Sequence, residues 1–190
     1  ITRLLGPVEL LLEMFWRCEV WERQVSPGCW PDCDMLPLGR LRLHLQGFSE
    51  ESTWTKFTQE EQITMMSLWC IFRSPLIMGG EMRDNDAFTL SLLTNREILD
   101  MHRYGTGAHQ VYRTDKAAAW RSVDTRDGGV YVTLFNCPTG RRSLRLRGRR
   151  LLEGTYTARE LWSHGDVGTV EGKLAAVLPP HGAAVYKLSR

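Results

Sequence analysis

The chain has 190 residues, of which 43% are hydrophobic, and this is enough apolar material for a buried core. Its 24 basic and 22 acidic residues leave a formal net charge of +2, so the charge balance gives no reason to expect a nucleic-acid or membrane partner. All apolar runs are shorter than the roughly 20 residues that a membrane-spanning helix needs.

A first helix is predicted over residues 8–21, after a proline that suits a first helical turn. Five apolar residues recur at helical spacing and form one stripe along it. They are Leu11, Met14, Phe15, Cys18 and Trp21. The Ser-Pro-Gly sequence at residues 26–28 then ends the helical pattern.

Residues 28–39 combine an indole, two acids, two thiols, two prolines and two glycines, which is more than a solvent-facing loop needs. Asp32 and Asp34 lie two positions apart, so in an extended segment they share a face, with about 6 to 7 Å between their backbones. An aspartate in a proline-flanked turn also often serves only backbone amides. We predict that this segment forms the floor of a site.

The next elements follow a poorly determined connector, residues 40–56. Thr58 and Glu61 have the spacing of a capping box, in which each side chain satisfies the other residue's backbone amide. We therefore predict a second helix over residues 59–72.

Residues 74–80 form a short apolar run that ends in two glycines, which favours a buried parallel strand. A polar loop with Arg83 and Asp84 follows, for which a surface or ion-pair role is expected, and residues 86–100 are predicted to be one helix. This order of elements is typical of a β/α-barrel. About 100 residues supply a fraction of the ~250 that such a barrel takes.

Beyond about residue 108 the hydrophobic period changes to two, which indicates β-strands. Six short segments are predicted as strands, divided by turns rich in glycine and proline. They are residues 117–123, 129–136, 142–147, 156–161, 173–178 and 183–188. This spacing is typical of a β-sandwich. We therefore expect an α/β plus all-β chain, with a barrel fragment at residues 1–108 and an antiparallel β-sandwich at residues 109–190.

Six arginines between residues 141 and 150 are a local excess of positive charge. They suggest either an anion or nucleic-acid patch or the solvated face of a hairpin. The alternation of Arg and Leu over residues 144–147 has the period of a half-buried strand and favours the hairpin.

The five cysteines are odd in number and irregularly spaced, so a disulfide framework is not expected. Cys29 and Cys33 lack the spacing of zinc ligands, and the histidines are scattered singly. We expect neither a metal nor a cofactor. Cys29 and Cys33 could still be oxidised, so the cysteines do not determine the cellular compartment.

Three motifs carry a resemblance to a known family. Residues 28–36 (GCWPDCDML), 57–62 (FTQEEQ) and 68–76 (LWCIFRSPL) resemble the C-terminal half of glycoside hydrolase family 27, the α-galactosidase and α-N-acetylgalactosaminidase family. The resemblance runs from about residue 9 to the end of the chain, where residues 178–186 look like the family's closing strand. It implies the last part of a catalytic (β/α)8 TIM barrel followed by an antiparallel β-sandwich.

The same resemblance implies roles for residues of this loop. Asp34 matches an aspartate that lines the galactose pocket, with Met35 beside it. Trp30 matches a position that shapes the loop, either against the sugar or as a buried aromatic, and Asp32 matches a position that braces the loop. We expect Asp34, Met35 and Trp30 to be substrate-binding residues and Asp32 to be a bracing residue.

Neither catalytic carboxylate of the family is visible in this sequence. Retaining glycosidases need two carboxyl groups about 5 Å apart. The family nucleophile belongs to an earlier motif of Tyr-Lys-Asp-Cys type that does not occur here, and residues 1–7, where the acid/base is expected, contain no carboxylate. We expect no catalytic residue in this chain, unless Asp32 and Asp34 themselves form the pair.

The resemblance thus predicts the C-terminal portion of a retaining α-galactosidase that is inactive by itself. Its partners would be an α-galactoside and the missing N-terminal part of the barrel, and a secreted or periplasmic location is compatible with it. Related specificities, α-N-acetylgalactosaminidase or β-L-arabinopyranosidase, are alternatives. A non-catalytic carbohydrate-binding module is another, which exposed aromatics in a row would favour. The aromatics in question are equally usable as core: Trp120, Tyr131, Tyr156 and Trp162.

Overall fold

The structure, a computed structural model, describes residues 7–42, 53–137, 142–147 and 154–190. Residues 1–6, most of the predicted connector and the ends of the arginine cluster lie outside these ranges. The helices are α1 Pro7–Trp21, α2 Gln59–Phe72, α3 Ala87–Thr94 and α4 Arg96–Tyr104, with a 3₁₀ turn at Glu22–Gln24. Two short strands, β1 Arg40–Arg42 and β2 Thr53–Trp54, pair antiparallel. None of the helices among the described residues is long and apolar enough to cross a membrane.

Helix α1 confirms the prediction from its apolar stripe, with one exception. Leu11, Phe15 and Cys18 are buried, and Met14 packs beside them. Trp21, which was expected in the same stripe, is 55% exposed. Trp21 is the last residue of α1 and, like Leu10, Trp16 and Val20 of the same helix, does not pack into the core.

Helix α2 begins at the predicted capping box and forms the centre of the molecule. Thr58 Oγ1 accepts the Glu61 N–H at 3.3 Å, and Glu61 Oε2 accepts the Thr58 N–H at 2.9 Å. From Thr64 to Phe72 every residue is buried, so this helix has neighbours on all sides. It ends at Arg73, which adopts the left-handed conformation with φ of 66°.

Two sequence predictions between residues 74 and 104 are wrong in detail. The strand expected at residues 74–80 is reduced to one parallel bridge, between Leu36 and Met78, because it pairs with an irregular loop rather than with a strand. The single helix expected at residues 86–100 is two helices. Asn95 separates them with an extended ψ of 102°, and its side chain accepts the N–H groups of Glu97 and Ile98 to cap α4. An asparagine that caps a helix this way competes with continuation of the preceding helix.

The remaining described residues form two antiparallel sheets. The larger has the order β3-β4-β5-β10-β7-β8, and the smaller pairs β6 with β9. The strands are β3 Gly105–Arg113, β4 Ala117–Asp124, β5 Val130–Asn136, β6 Arg142–Arg147, β7 Thr155–Glu160, β8 Gly165–Glu171, β9 Lys173–Leu178 and β10 Ala183–Ser189. The six predicted strands are confirmed as β4, β5, β6, β7, β9 and β10.

Strands β3 and β8 were not predicted. Strand β3 contains Gly105 and Gly107 and has two irregularities in its pairing with β4, so its side chains do not alternate regularly. Strand β8 contains Gly165 and Gly168, and most of its residues are exposed. Both strands lie at the edges of the six-stranded sheet, where the alternation of buried apolar and exposed polar side chains along a strand is weakest.

The central strands of the large sheet, such as β5, are buried on both faces. One face, with Val132 and Leu134, packs against Leu144 and Leu174 of the small sheet. The other face packs against the helices: the Phe15 and Phe135 rings meet edge to face at 4.8 Å, and Phe72 meets Trp120 at 6.0 Å. The helical segment and the sandwich therefore share one hydrophobic core, and a domain boundary near residue 108 remains a prediction.

Candidate functional site

The predicted site loop, residues 28–39, packs against the buried helix α2 and is held in place by buried leucines and backbone hydrogen bonds. Leu36 and Leu38 are buried at 1% and 0% exposure, whereas the intervening Pro37 is half-buried. Leu36 donates its N–H to the Ile77 carbonyl and accepts the Gly79 N–H, both at 2.8 Å. These contacts seat the loop against residues 77–79 and leave its acidic part at the surface.

Asp34 has an unusual backbone conformation, with φ of 77°. Its N–H donates to Asp32 Oδ1 at 2.8 Å, its carbonyl accepts the Trp69 Nε1–H at 2.9 Å, and its own Oδ1 accepts the Met35 N–H at 2.7 Å. A positive φ costs free energy in a residue other than glycine and persists where neighbours enforce it. The surrounding bonds therefore hold Asp34 in a defined position.

The geometry of the loop is compatible with a bracing role for Asp32 and a substrate-binding role for Asp34 and Met35. Asp32 accepts the amide of Asp34, as a bracing residue would. Asp34 is exposed and lies next to Met35, which is 54% exposed. A carboxylate accepts about four hydrogen bonds, so one bond to a backbone amide leaves capacity for ligand hydroxyls. The assigned roles of these residues remain predictions.

Trp30 is half-buried, and one face of its ring is covered by a cation. The guanidinium carbon of Arg73 lies 4.2 Å from the ring centre. Arg73 also donates to the carbonyls of Gly105 and Arg103, at 2.9 and 3.1 Å, and partial burial lowers the pKa of its guanidinium. Sequence reasoning missed Arg73 because its partners lie about 30 to 45 residues away along the chain.

Gly79 and Gly80 allow the chain to pass close beneath the loop. A Cβ on Gly80 would collide with the Leu38 carbonyl oxygen, and one on Gly79 would lie 3.1 Å from Met35 Cβ. The sequence identified these glycines as the end of a strand. The structure adds that their lack of a side chain permits the approach.

A cavity of about 1010 Å³ opens between α1 and the loop. Its lining includes every residue that the sequence placed in the site: Trp30, Asp32, Asp34 and Met35. Apolar side chains of α1 and α2, such as Trp16 and Trp69, form the rest of the wall. The acidic loop suits a ligand that offers hydroxyl groups to a carboxylate, whereas the exposed apolar wall from α1 suits contact with a second apolar element.

Other candidate positions are structural. Arg83 pairs with Glu81 at 2.8 Å and Asp84 with Arg40 at 2.7 Å, which confirms the expected ion-pair role. The aromatic side chains of the sandwich are core: Trp120, Tyr131 and Tyr156 are buried, and Trp162 is partly buried. In the part of the chain that the structure describes, no group of three or more His, Cys, Asp or Glu residues is placed to hold a metal ion.

Two family profiles match the chain. Residues 14–103 match the profile described as alpha galactosidase A, and residues 114–188 match that of the alpha galactosidase C-terminal beta sandwich domain. Alpha-galactosidase 2 of Arabidopsis thaliana is 26% identical over 175 residues, which cover 90% of this chain and 40% of that protein. The chain thus spans about two fifths of the length of the curated relatives it matches.

Solved structures resemble the whole chain. A family 27 β-L-arabinopyranosidase from Geobacillus stearothermophilus is 43% identical, with a TM-score of 0.87 over 96% of this chain and 42% of that one. A protein from Bacillus halodurans assigned as an α-N-acetylgalactosaminidase is 38% identical, with a TM-score of 0.87 over 100% of this chain and 46% of that one. These likenesses confirm the expected fold, a TIM-barrel fragment followed by a β-sandwich.

Proposed function

Because the chain belongs to glycoside hydrolase family 27, the α-galactosidase family, and represents its C-terminal portion, we propose that the complete protein removes terminal α-linked galactose from carbohydrates. The observation that carries this proposal is the match of both halves of the chain, in order, to α-galactosidase profiles. The reaction would proceed with retention, through a covalent glycosyl intermediate.

Within that enzyme the site loop forms part of the sugar pocket. Asp34 accepts hydrogen bonds from sugar hydroxyls, which are strong because the acceptor is charged. Met35 and Trp30 provide apolar surface that can contact the C–H groups on the face of the sugar ring. Asp32 holds the Asp34 backbone through its 2.8 Å bond to the amide. The defined conformation of Asp34 supports this assignment, since a preorganised acceptor loses little entropy on binding.

The 190-residue chain alone is inactive under this proposal. A retaining mechanism requires two positioned carboxyl groups, and neither catalytic carboxylate of the family is visible in this chain. In the family the nucleophile precedes this segment, and the acid/base corresponds to residues 1–7, which contain no carboxylate here.

The partner of this segment is the N-terminal part of the barrel. Helix α1 exposes Leu10, Trp16, Val20 and Trp21, each at 50 to 56%. Large apolar side chains this exposed and this close together mark a surface that another protein element covers. The missing barrel elements fit the requirement because the chain spans about two fifths of its relatives.

A β-L-arabinopyranosidase is the second candidate. The Geobacillus stearothermophilus enzyme is 43% identical to this chain, whereas the α-galactosidases of Arabidopsis thaliana and Cyamopsis tetragonoloba are 26% and 27% identical. The two sugars share their ring stereochemistry, and β-L-arabinopyranose lacks the hydroxymethyl group of α-D-galactose. A pocket that excludes or accepts that group would decide between them.

The test compares this chain with a version extended upstream through the whole barrel, on aryl α-galactosides and aryl β-L-arabinopyranosides. Activity confined to the longer version supports a hydrolase that needs the upstream part of the barrel. In that version Asp34→Asn should raise KM strongly. Activity in the short chain would contradict the proposal and point to Asp32 and Asp34 as catalysts. Absence of activity in both versions would favour a non-catalytic carbohydrate-binding module.

A further inference from the structure

Two buried thiols meet between α1 and the site loop. Cys18 Sγ, from the fourth turn of α1, lies 3.6 Å from Cys33 Sγ, and the two residues are 0% and 4% exposed. Cys33 stands between Asp32 and Asp34, the bracing and sugar-binding residues. All five cysteines are free thiols in this structure, so this contact is a dithiol rather than a bond.

We propose that Cys18 and Cys33 form a reversible disulfide that ties the site loop to helix α1. The oxidant would be a small-molecule disulfide such as oxidised glutathione. This modification concerns the thiols alone, so it holds whichever glycoside is the substrate.

The geometry allows the bond to form with a small movement. A disulfide has an S–S length of about 2.05 Å, so the sulfurs must approach by roughly 1.5 Å. The Cys33 backbone is anchored, because its N–H donates to Ser74 Oγ at 2.9 Å. Cys18 and Cys33 both line the cavity of about 1010 Å³, and Cys33, at 4% exposure against 0% for Cys18, is the thiol of the pair that a small oxidant can approach.

The surroundings make Cys33 the attacking thiol. The hydrogen bond from Cys18, helped by one with Ser74, lowers the pKa of Cys33, although burial and the charge of Asp32 oppose the shift. The same contact with Cys33, together with burial, raises the pKa of Cys18. Cys18 therefore keeps its proton and donates it towards the Cys33 sulfur, which holds more of the negative charge.

The reaction is a thiol–disulfide exchange in two steps. The Cys33 thiolate attacks one sulfur of the small disulfide, forms a mixed disulfide and releases one thiolate. Cys18 then loses its proton to the released thiolate and attacks Cys33 Sγ, which displaces the second small thiol. Two protein thiols are oxidised by two electrons, and one small disulfide is reduced to two thiols.

The neighbouring cysteines provide internal comparisons. Cys29 is exposed at the same cavity, four residues before Cys33, and is the competing partner for a bond. Cys70 is fully buried, and burial raises the pKa of its thiol, so it should stay unmodified. These differences predict one preferred bond rather than general oxidation.

Peptide mapping tests the proposal on the 190-residue chain. The protein is equilibrated with oxidised and reduced glutathione, the remaining thiols are alkylated, and tryptic peptides are analysed by mass spectrometry. Cleavage after Arg17, Arg23 and Arg40 places Cys18 in residues 18–23 and both Cys29 and Cys33 in residues 24–40. We expect these two peptides to become linked in millimolar oxidised glutathione and to separate again in excess reduced glutathione.

The Cys29→Ala variant is the matched control. It removes an exposed thiol outside the pair, so the same linked peptides should form, now necessarily through Cys33. A bond within residues 24–40 of the wild-type chain, or no link at any glutathione ratio, would overturn the proposal. A shift of the thermal unfolding midpoint to higher temperature on oxidation, absent from Cys33→Ser, is the second expected result.

Discussion

The guanidinium carbon of Arg73 lies 4.2 Å from the centre of the Trp30 ring, and this contact joins the candidate site to the sandwich. The same side chain donates to Gly105 and Arg103, where α4 passes into β3. Arg73 does this from the left-handed end of α2, with φ of 66°. One side chain therefore connects the site loop, the central helix and the first strand of the large sheet.

Two substitutions at Arg73 distinguish the contribution of its side-chain contacts to stability from the cost of its positive φ. Arg73→Ala removes the contacts and keeps the strain, so we expect it to lower the free energy of unfolding by about 2 kcal/mol. Arg73→Gly removes the same contacts but suits the positive φ, so it should be about 1 kcal/mol more stable than the alanine variant. Urea denaturation measures both values. Equal stability of the two variants would show that the backbone is unstrained.

Asp34 allows the structural and binding roles of one residue to be told apart. Asn tolerates the left-handed region and keeps an oxygen for the Met35 N–H, so Asp34→Asn should change the free energy of unfolding by less than about 0.5 kcal/mol. Asp34→Ala loses the acceptor and keeps the strain, and should cost about 1 to 2 kcal/mol. Thermal unfolding of the chain checks this order. An asparagine variant as unstable as the alanine variant would mean that the charge itself holds the loop.

Asp124, the last residue of β4, is a buried carboxylate that three neighbouring side chains hold by hydrogen bonds. It is 0% exposed and accepts hydrogen bonds from Arg126, Lys187 and Tyr131 at 2.8, 2.8 and 2.6 Å. Asp124→Asn leaves Arg126 and Lys187 without their buried anionic partner and should cost about 3 kcal/mol of unfolding free energy. Asp127→Asn, at an exposed carboxylate that also binds Lys187, should cost less than about 1 kcal/mol. Similar losses for the two variants would contradict the assigned role of burial.

The same carboxylate makes stability depend on pH. Burial alone would raise the pKa of Asp124, but the hydrogen bonds from Arg126, Lys187 and Tyr131 outweigh it and hold the pKa well below its ordinary value of 3.8. A carboxyl whose pKa is depressed by folding stabilises the protein fully above its unfolded pKa and loses this effect as pH falls towards its folded pKa. The stability difference between wild type and Asp124→Asn should be constant near neutral pH and shrink below about pH 5. Denaturation series at several pH values would reveal any other trend.

The capping box offers a test in a region where the sequence prediction is confirmed. Thr58→Ala removes the acceptor of the Glu61 N–H and should lower the free energy of unfolding by about 1 kcal/mol. Thr58→Ser retains a hydroxyl and should stay within about 0.5 kcal/mol of wild type. Urea denaturation distinguishes the two. An equally destabilised serine variant would point to the threonine methyl group rather than to the cap.

The sequence predicted those helices and strands whose formation depends on residues close together along the chain. Thr58 and Glu61 start α2 because a capping box needs four consecutive positions. The period of two in strands such as β5 follows from the alternation of side chains across a sheet. Three motifs, at residues 28–36, 57–62 and 68–76, identified the family. The first of them selected Trp30, Asp32, Asp34 and Met35 as site residues, whose roles remain to be measured.

Contacts between distant residues were decided by the tertiary structure. Arg73 reaches Trp30 across 43 positions and Gly105 across 32, and Cys18 meets Cys33 because α1 and the loop are both packed on α2. The edge strands β3 and β8 form because the sheet offers them partners, although their own glycines weaken the pattern. The sequence by itself determined the elements with local codes and the family, since those depend on short-range propensity and motif. The tertiary structure decided which side chains meet, because free energy from packing and burial is realised only after distant segments come together.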